Sequence, residues 1–143
     1  MFVTLFYALL DPASGALTYC NAGHPPPYLW SGEGQAELEA LYRTGMPLGV
    51  SEEARWSTLQ TQVPAGGTLL LYTDGVLDAQ NPEGEFFDQD SIKALLADDP
   101  GRGAAEVQEA LLAAVYAFAG TEPQIDDLTL VVLRREQQQQ PEA

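Results

Sequence analysis

Two stretches of the chain, Leu69-Leu70-Leu71-Tyr72-Thr73-Asp74-Gly75 and Asp126-Asp127-Leu128-Thr129-Leu130-Val131-Val132-Leu133, each join an apolar strand to a carboxylate. If the two strands pair antiparallel, one ending in Asp74 and the other beginning after Asp126, both carboxylates sit at the same end of one sheet, about 5 Å apart between strands. Two anionic groups that close repel unless a cation lies between them. An all-oxygen donor set suits Mg²⁺ or Mn²⁺ better than zinc. Gly75, which has no Cβ, lets the chain turn sharply after its strand and bring backbone close to an ion or a bound water. Successive strand residues point to opposite faces, so only one of Asp126 and Asp127 faces a given site.

Composition narrows the partners. The 143 residues can bury one core, and six basic against 21 acidic residues give a formal charge of −15. Such a balance repels nucleic acid and anionic membrane, and makes cations the natural partners. The single cysteine, Cys20, forms no internal disulfide. No secretory leader is evident, and no apolar run reaches the roughly 18 to 20 residues that span a bilayer. These features indicate a cytoplasmic protein.

Other chemistries lack their residues. A cysteine phosphatase needs an arginine six positions after its nucleophile, and here that position is Pro26; Cys20 is read as a buried, inert thiol. A lone histidine, His24, makes neither a zinc site nor a Ser/His/Asp triad; it reads as a loop residue held by backbone hydrogen bonds near the prolines, with a role in the site as the alternative. There is no Gly-x-Ser-x-Gly elbow and no phosphate loop ending in Lys-Ser or Lys-Thr. Asp98-Asp99 and the group Glu33, Glu37 and Glu39 read as solvated faces.

The pattern along the chain predicts mostly antiparallel strands with two helices on one side, an α+β layer architecture. Phe2 to Leu10, apolar on both alternating faces, reads as a central strand covered on both sides. Strands are expected over Ala16 to Asn21, Tyr28 to Ser31, Ala36 to Leu41, Trp56 to Val63, Thr68 to Thr73 and Leu128 to Leu133, with a loop over Arg43 to Val50. Helices are expected from Asp90 to Ala97 and from Gly103 to Ala119. The second carries Val107, Leu111, Val115 and Phe118 on one face and Gly120 as its stop. Residues 1–135 are expected to form one domain or a piece of one, and 136–143 a polar tail expected to be disordered.

Five motifs in order, Phe2-Val3-Thr4-Leu5-Phe6-Tyr7, Asn21-Ala22-Gly23-His24-Pro25-Pro26, Gly45-Met46-Pro47-Leu48-Gly49, Tyr72-Thr73-Asp74-Gly75-Val76 and Asp126-Asp127-Leu128-Thr129-Leu130, resemble the SpoIIE/RsbU branch of the PPM (PP2C-like) serine/threonine phosphatases. The resemblance implies two antiparallel sheets flanked by helices around a two-metal Mn²⁺ or Mg²⁺ centre. Asp74 and Asp126 match metal aspartates of that family, and Asp127 stands beside the centre rather than in it. The implied reaction is hydrolysis of a phosphate monoester by metal-activated water, on a STAS-type anti-anti-sigma protein in bacterial partner switching. The family's first half, with further metal ligands, has no counterpart here. The chain therefore resembles the C-terminal portion of the domain, with weak or absent activity by itself and an exposed sheet edge suited to a homodimer. The alternative is a catalytically dead phosphatase-like scaffold that binds or dimerises.

Overall fold

The computed structural model describes residues 1–32 and 37–137. Among these residues the elements run β1 (Leu5–Leu10), β2 (Ala16–Ala22), β3 (Tyr28–Trp30), β4 (Glu39–Ala40), β5 (Leu59–Gln62), β6 (Thr68–Tyr72), α1 (Asp74–Leu77), α2 (Gln89–Asp98), α3 (Ala104–Ala119) and β7 (Leu130–Arg134). The start of the expected strand at Ala36, Glu33 and most of the expected polar tail lie outside the described residues.

The strands form two antiparallel sheets, ordered β1-β2-β5 and β4-β3-β6-β7. Period-two alternation gives the four-stranded sheet two apolar faces. On one, Tyr28, Trp30, Leu70, Tyr72, Leu130 and Val132 meet Ile92 and Leu96 of α2 and Val107, Leu111 and Val115 of α3. On the other, Leu29, Leu69, Leu71 and Leu133 meet Leu17 and Tyr19 of β2 and Phe6, Ala8 and Leu10 of β1. The layers therefore run helices, four-stranded sheet, three-stranded sheet, which is the α+β arrangement the sequence predicts.

Local chemistry sets the helix ends. Asp88 caps α2 by accepting the Ser91 N–H at 2.8 Å, and the Ser91 hydroxyl, followed by that backbone bond, holds its carboxyl below the usual carboxylate range. At the start of α3 the Glu106 carboxylate accepts the Gly103 N–H at 2.8 Å. The helix stops at Gly120, whose φ of 60° suits a residue without Cβ. Phe118 closes the helix layer edge-to-face against Phe87 at 5.4 Å.

Two expectations are corrected. Among the described residues Phe2 to Leu10 is not a central strand covered on both sides: β1 lies at the edge of its sheet, with Leu5, Tyr7 and Leu9 44%, 57% and 62% exposed on its outer face. An apolar face records that a surface can be buried, not which element covers it. Trp56 to Val63 is a strand only over Leu59–Gln62. Trp56 instead anchors the Arg43 to Val50 loop, its Nε1–H donating to the Met46 carbonyl at 2.8 Å.

Leu111 is fully buried where α3 meets the four-stranded sheet. Leu111→Ala is expected to cost about 2–5 kcal/mol, the range for a leucine truncated in a close-packed core. Urea unfolding reads this as a lower midpoint at unchanged slope; a loss below about 1 kcal/mol would contradict the packing of α3 on the sheet.

Candidate metal centre

Antiparallel pairing of β6 with β7 runs from Thr68↔Arg134 to Tyr72↔Leu130. Thr73 carries it one step further: its N–H donates to the Thr129 carbonyl at 3.1 Å, and its hydroxyl accepts the Thr129 N–H at 3.0 Å. The same hydroxyl lies 3.4 Å from the Asp127 carbonyl, to which it donates. One threonine thus fixes both chain ends that carry the carboxylates, as their pairing in the sequence requires.

Beyond Thr73 the chain enters the one-turn helix α1, which Val76 anchors in the core with no exposed surface. Asp74 opens this helix, and the Asp78 N–H donates to the Asp74 carbonyl at 2.8 Å. Residues four apart on a helix share a face, so Asp78 joins Asp74. Carboxylate oxygens of Asp74, Asp78 and Asp126 all lie within 4.8 Å of one another, Asp74 and Asp126 exposed and Asp78 half-buried. Asp126 is held from its own loop: its Oδ1 accepts the Asp127 N–H at 2.7 Å, and its carbonyl accepts Gln124 Nε2–H at 2.7 Å. The Asp127 carboxylate does not belong to the cluster.

Gly75 lies in α1 for a different reason than a sharp turn. Its φ is not positive, but a Cβ there would overlap the Asp127 carbonyl oxygen and come within 3.2 Å of Leu128 Cα. The glycine lets the two backbone segments close on each other and so brings Asp126 to Asp74.

Asp78 is the residue that sequence reasoning missed. The spacing Asp74-Gly75-Val76-Leu77-Asp78 contains the signal, but a single helical turn is too short to show a hydrophobic period. Tyr72, beneath the site, is buried and stacked on Tyr28 with ring centroids 5.9 Å apart. Burial, and then the neighbouring Tyr28, raise its hydroxyl well above the ordinary tyrosine range, so it stays neutral and adds no charge.

The cluster fits a hard divalent cation. All three donors are carboxylate oxygens, they converge from two segments, and they open to solvent. Among the described residues the ion pairs are Lys93 with Asp90 and Arg102 with Asp98 and Asp99, so no protein cation neutralises the three.

A cleft beside Asp74 is lined by Thr4, Gly23, His24, Pro25, Pro26, Tyr42, Arg43, Leu77 and Gln89. His24 belongs to it. Its N–H donates to Asn21 Oδ1 at 2.8 Å, and its Nδ1 lies 3.2 Å from Thr4 Oγ1. Asn21 is fully buried and its Nδ2 also donates to the Leu41 carbonyl at 3.0 Å, which ties the histidine loop to the next segment. Cys20 is half-buried rather than buried, and Thr44 Oγ1 lies 3.4 Å from its Sγ. Of the remaining acids, Asp98 and Asp99 pair with Arg102, and Glu39 accepts the Thr61 hydroxyl at 2.8 Å.

Layered antiparallel sheets with helices packed on the four-stranded one, and acids at one end of β6 and β7, place the fold among PP2C-like domains. The SiaA-PP2C domain of Pseudomonas aeruginosa has the same fold, with a TM-score of 0.79 and 24% identity over 92% of this chain and 51% of that one. Residues 1–136 match the family described as Stage II sporulation protein E (SpoIIE), and the chain belongs to that family. It is 30% identical to Protein IcfG of Synechocystis sp. over 136 residues, 94% of this chain and 21% of that protein. To the phosphoserine phosphatase RsbU of Bacillus subtilis it is 28% identical over 137 residues, 94% of this chain and 39% of that protein. The chain thus spans well under half the length of these two relatives.

Because the Asp127 backbone abuts Gly75, Gly75→Ala is expected to push the Asp126 segment away from α1. A destabilisation of about 1–3 kcal/mol is expected by urea unfolding, as for overpacking elsewhere. Mn²⁺ affinity, read by calorimetric titration, should fall with it; unchanged stability and affinity would show that the close approach is not needed.

Proposed function

We propose that the chain serves in a metal-dependent phosphatase that removes phosphate from serine or threonine on a protein, with Asp74 and Asp126 as its principal metal ligands and Asp78 beside them. The convergence of three unpaired carboxylates at the open end of β6 and β7, in a chain of the SpoIIE family, carries this reading. The name of the B. subtilis relative, a phosphoserine phosphatase, supports it. The expected cation is Mn²⁺ or Mg²⁺, which when bound supplies positive charge for phosphate oxygens and lowers the pKa of water.

The chain's own residues hold and orient. Asp74, Asp78 and Asp126 provide the oxygens, Thr73 locks the two segments in register, and Gly75 lets them approach. The Asp127 N–H fixes one Asp126 oxygen and leaves the other for a ligand; the Gly75 backbone is a further oxygen donor beside Asp74, and the Asp127 carboxylate stands behind the site without direct contact. The family resemblance points to a STAS-type anti-anti-sigma protein as substrate; a cytoplasmic location and no part for nucleic acid are the readings of the single cysteine and of the charge of −15. Among the described residues no helix is long and apolar enough to cross a membrane.

A second reading, a phosphatase-like scaffold that pairs with another copy of itself, is favoured by one observation. The outer face of β1 leaves Leu5, Tyr7 and Leu9 exposed beside a strand edge that is unpaired among the described residues, and β1 carries no charged residue or proline to block pairing.

Two measurements separate the readings. In a titration with Mn²⁺, Asp74→Asn should lose more than the roughly 10- to 100-fold in affinity that removal of a ligand's outer partner costs. Any Mn²⁺-dependent hydrolysis of para-nitrophenyl phosphate should vanish with it; equal affinity in the variant removes Asp74 from the site. Light scattering reads the scaffold: a dimer that Tyr7→Lys converts to monomer supports edge pairing, whereas a monomer at high concentration counts against it.

A further inference from the structure

The chain has six basic side chains to set against 21 acidic ones, and five of the six are engaged within the fold. Arg135 donates to the Val63 and Ala13 carbonyls, Arg134 to the Arg102 carbonyl, and Arg102 to the Leu95 carbonyl and Asp98. Lys93 lies 3.4 Å from Asp90, and Arg55 lies 3.4 Å from the Ala54 carbonyl. Arg43 is the exception among the described residues. Its side chain is exposed and makes no ion pair with any of the abundant carboxylates.

Its position gives that freedom a meaning. Arg43 lines the same cleft as Asp74 and His24, with exposed Tyr42 next to it and Pro25 and Pro26 among the other lining residues. The segment that carries it is fixed. Thr44 accepts the Asn21 N–H at 3.0 Å through its hydroxyl and donates its own N–H to the Asn21 carbonyl at 2.8 Å. Gly45 pairs with Ala22. A guanidinium on a held backbone, unpaired and facing a cleft whose other charged group is a carboxylate of the cation site, is a receptor for an anion brought in by a ligand. Guanidinium geometry matches a phosphoryl group through two parallel N–H···O bonds.

We propose that Arg43 is a substrate-binding residue that grips the phosphoryl group of a phosphoserine or phosphothreonine side chain entering this cleft. The proposal rests on the phosphatase reading of the Asp74 site and adds to it the group that recognises the anion. In a chain of charge −15 an approaching phosphate is repelled at long range, so one uncommitted cation at the point of entry has a large share of the discrimination between phosphorylated and unphosphorylated protein.

The test titrates a serine peptide carrying a non-hydrolysable phosphonate in place of the phosphate against the 143-residue chain, with and without saturating Mn²⁺, beside the unmodified peptide and inorganic phosphate. Arg43→Ala should weaken phosphonate peptide and inorganic phosphate alike by about tenfold or more, leave Mn²⁺ affinity unchanged, and be rescued only in part by Arg43→Lys. If only the peptide is weakened and inorganic phosphate is not, Arg43 contacts an acidic group of the peptide and the proposal fails. It fails equally if Arg43→Ala binds as the parent does, or if the Mn²⁺-loaded parent ignores the phosphonate. A chain that takes up no Mn²⁺ refutes the metal site instead. The metal-free titration still decides the arginine: Arg43-dependent phosphonate binding sustains it, and no binding overturns it.

Discussion

The antiparallel pairing of β6 with β7 is the constraint on which the rest depends. It joins segments far apart in sequence, contributes both apolar faces of the four-stranded sheet, and ends where Thr73 and Thr129 exchange hydrogen bonds. A register slip of one residue would turn Leu70 and Tyr72 from the helix layer to the inter-sheet layer, and both cores would lose their fit. Register and core are therefore set by the same interaction. The carboxylates follow, because Asp74 and Asp126 are each attached within a few residues of the last paired position.

That attachment opposes simple electrostatics. Three carboxylates within 4.8 Å and without a protein cation repel one another, and nothing in the cluster offsets the repulsion. The surrounding structure does: Val76 buried in the helix-side core, Thr73 bonded to two residues of the other segment, and Gly75 admitting the Asp127 backbone. Like charge concentrated on such a rigid support is what makes the cluster a candidate for a ligand of opposite charge, since the same carboxylates on mobile loops would separate at no structural cost.

Long, strongly patterned elements were legible in the sequence. The buried strand before Asp74, the strand after Asp126 and the α3 stripe of Val107, Leu111 and Val115 stand as expected, because each pattern repeats often enough to exclude the alternatives. The family match and the layered fold follow the motifs quoted from the chain. What stayed hidden depends on relations that a sequence does not express. Asp78 joins the site through one helical turn, β1 is an edge because of sheet order, and Gly75 is required by the backbone of a residue far along the chain. Trp56, apolar in a strand-like run, leaves the sheet because its indole N–H finds the Met46 carbonyl.

Charge is also divided along the central sheet. Arg134 and Arg135 stand at the end of β7 remote from the carboxylates, bonded to the Arg102 carbonyl and to the Ala13 and Val63 carbonyls respectively. Four residue steps along β7 separate Arg134 from Leu130, roughly 14 Å at the usual rise. This exceeds the Debye length of about 8 Å at physiological ionic strength, so these arginines do not relieve the carboxylate cluster. Their fixed hydrogen bonds also prevent them from swinging towards it. The acidic end of the sheet is consequently left to mobile cations and to Arg43, the one basic side chain that lines the cleft beside Asp74. Positive charge used to hold the frame at one end leaves the other end acidic, with Arg43 as the one arginine that lines the cleft there.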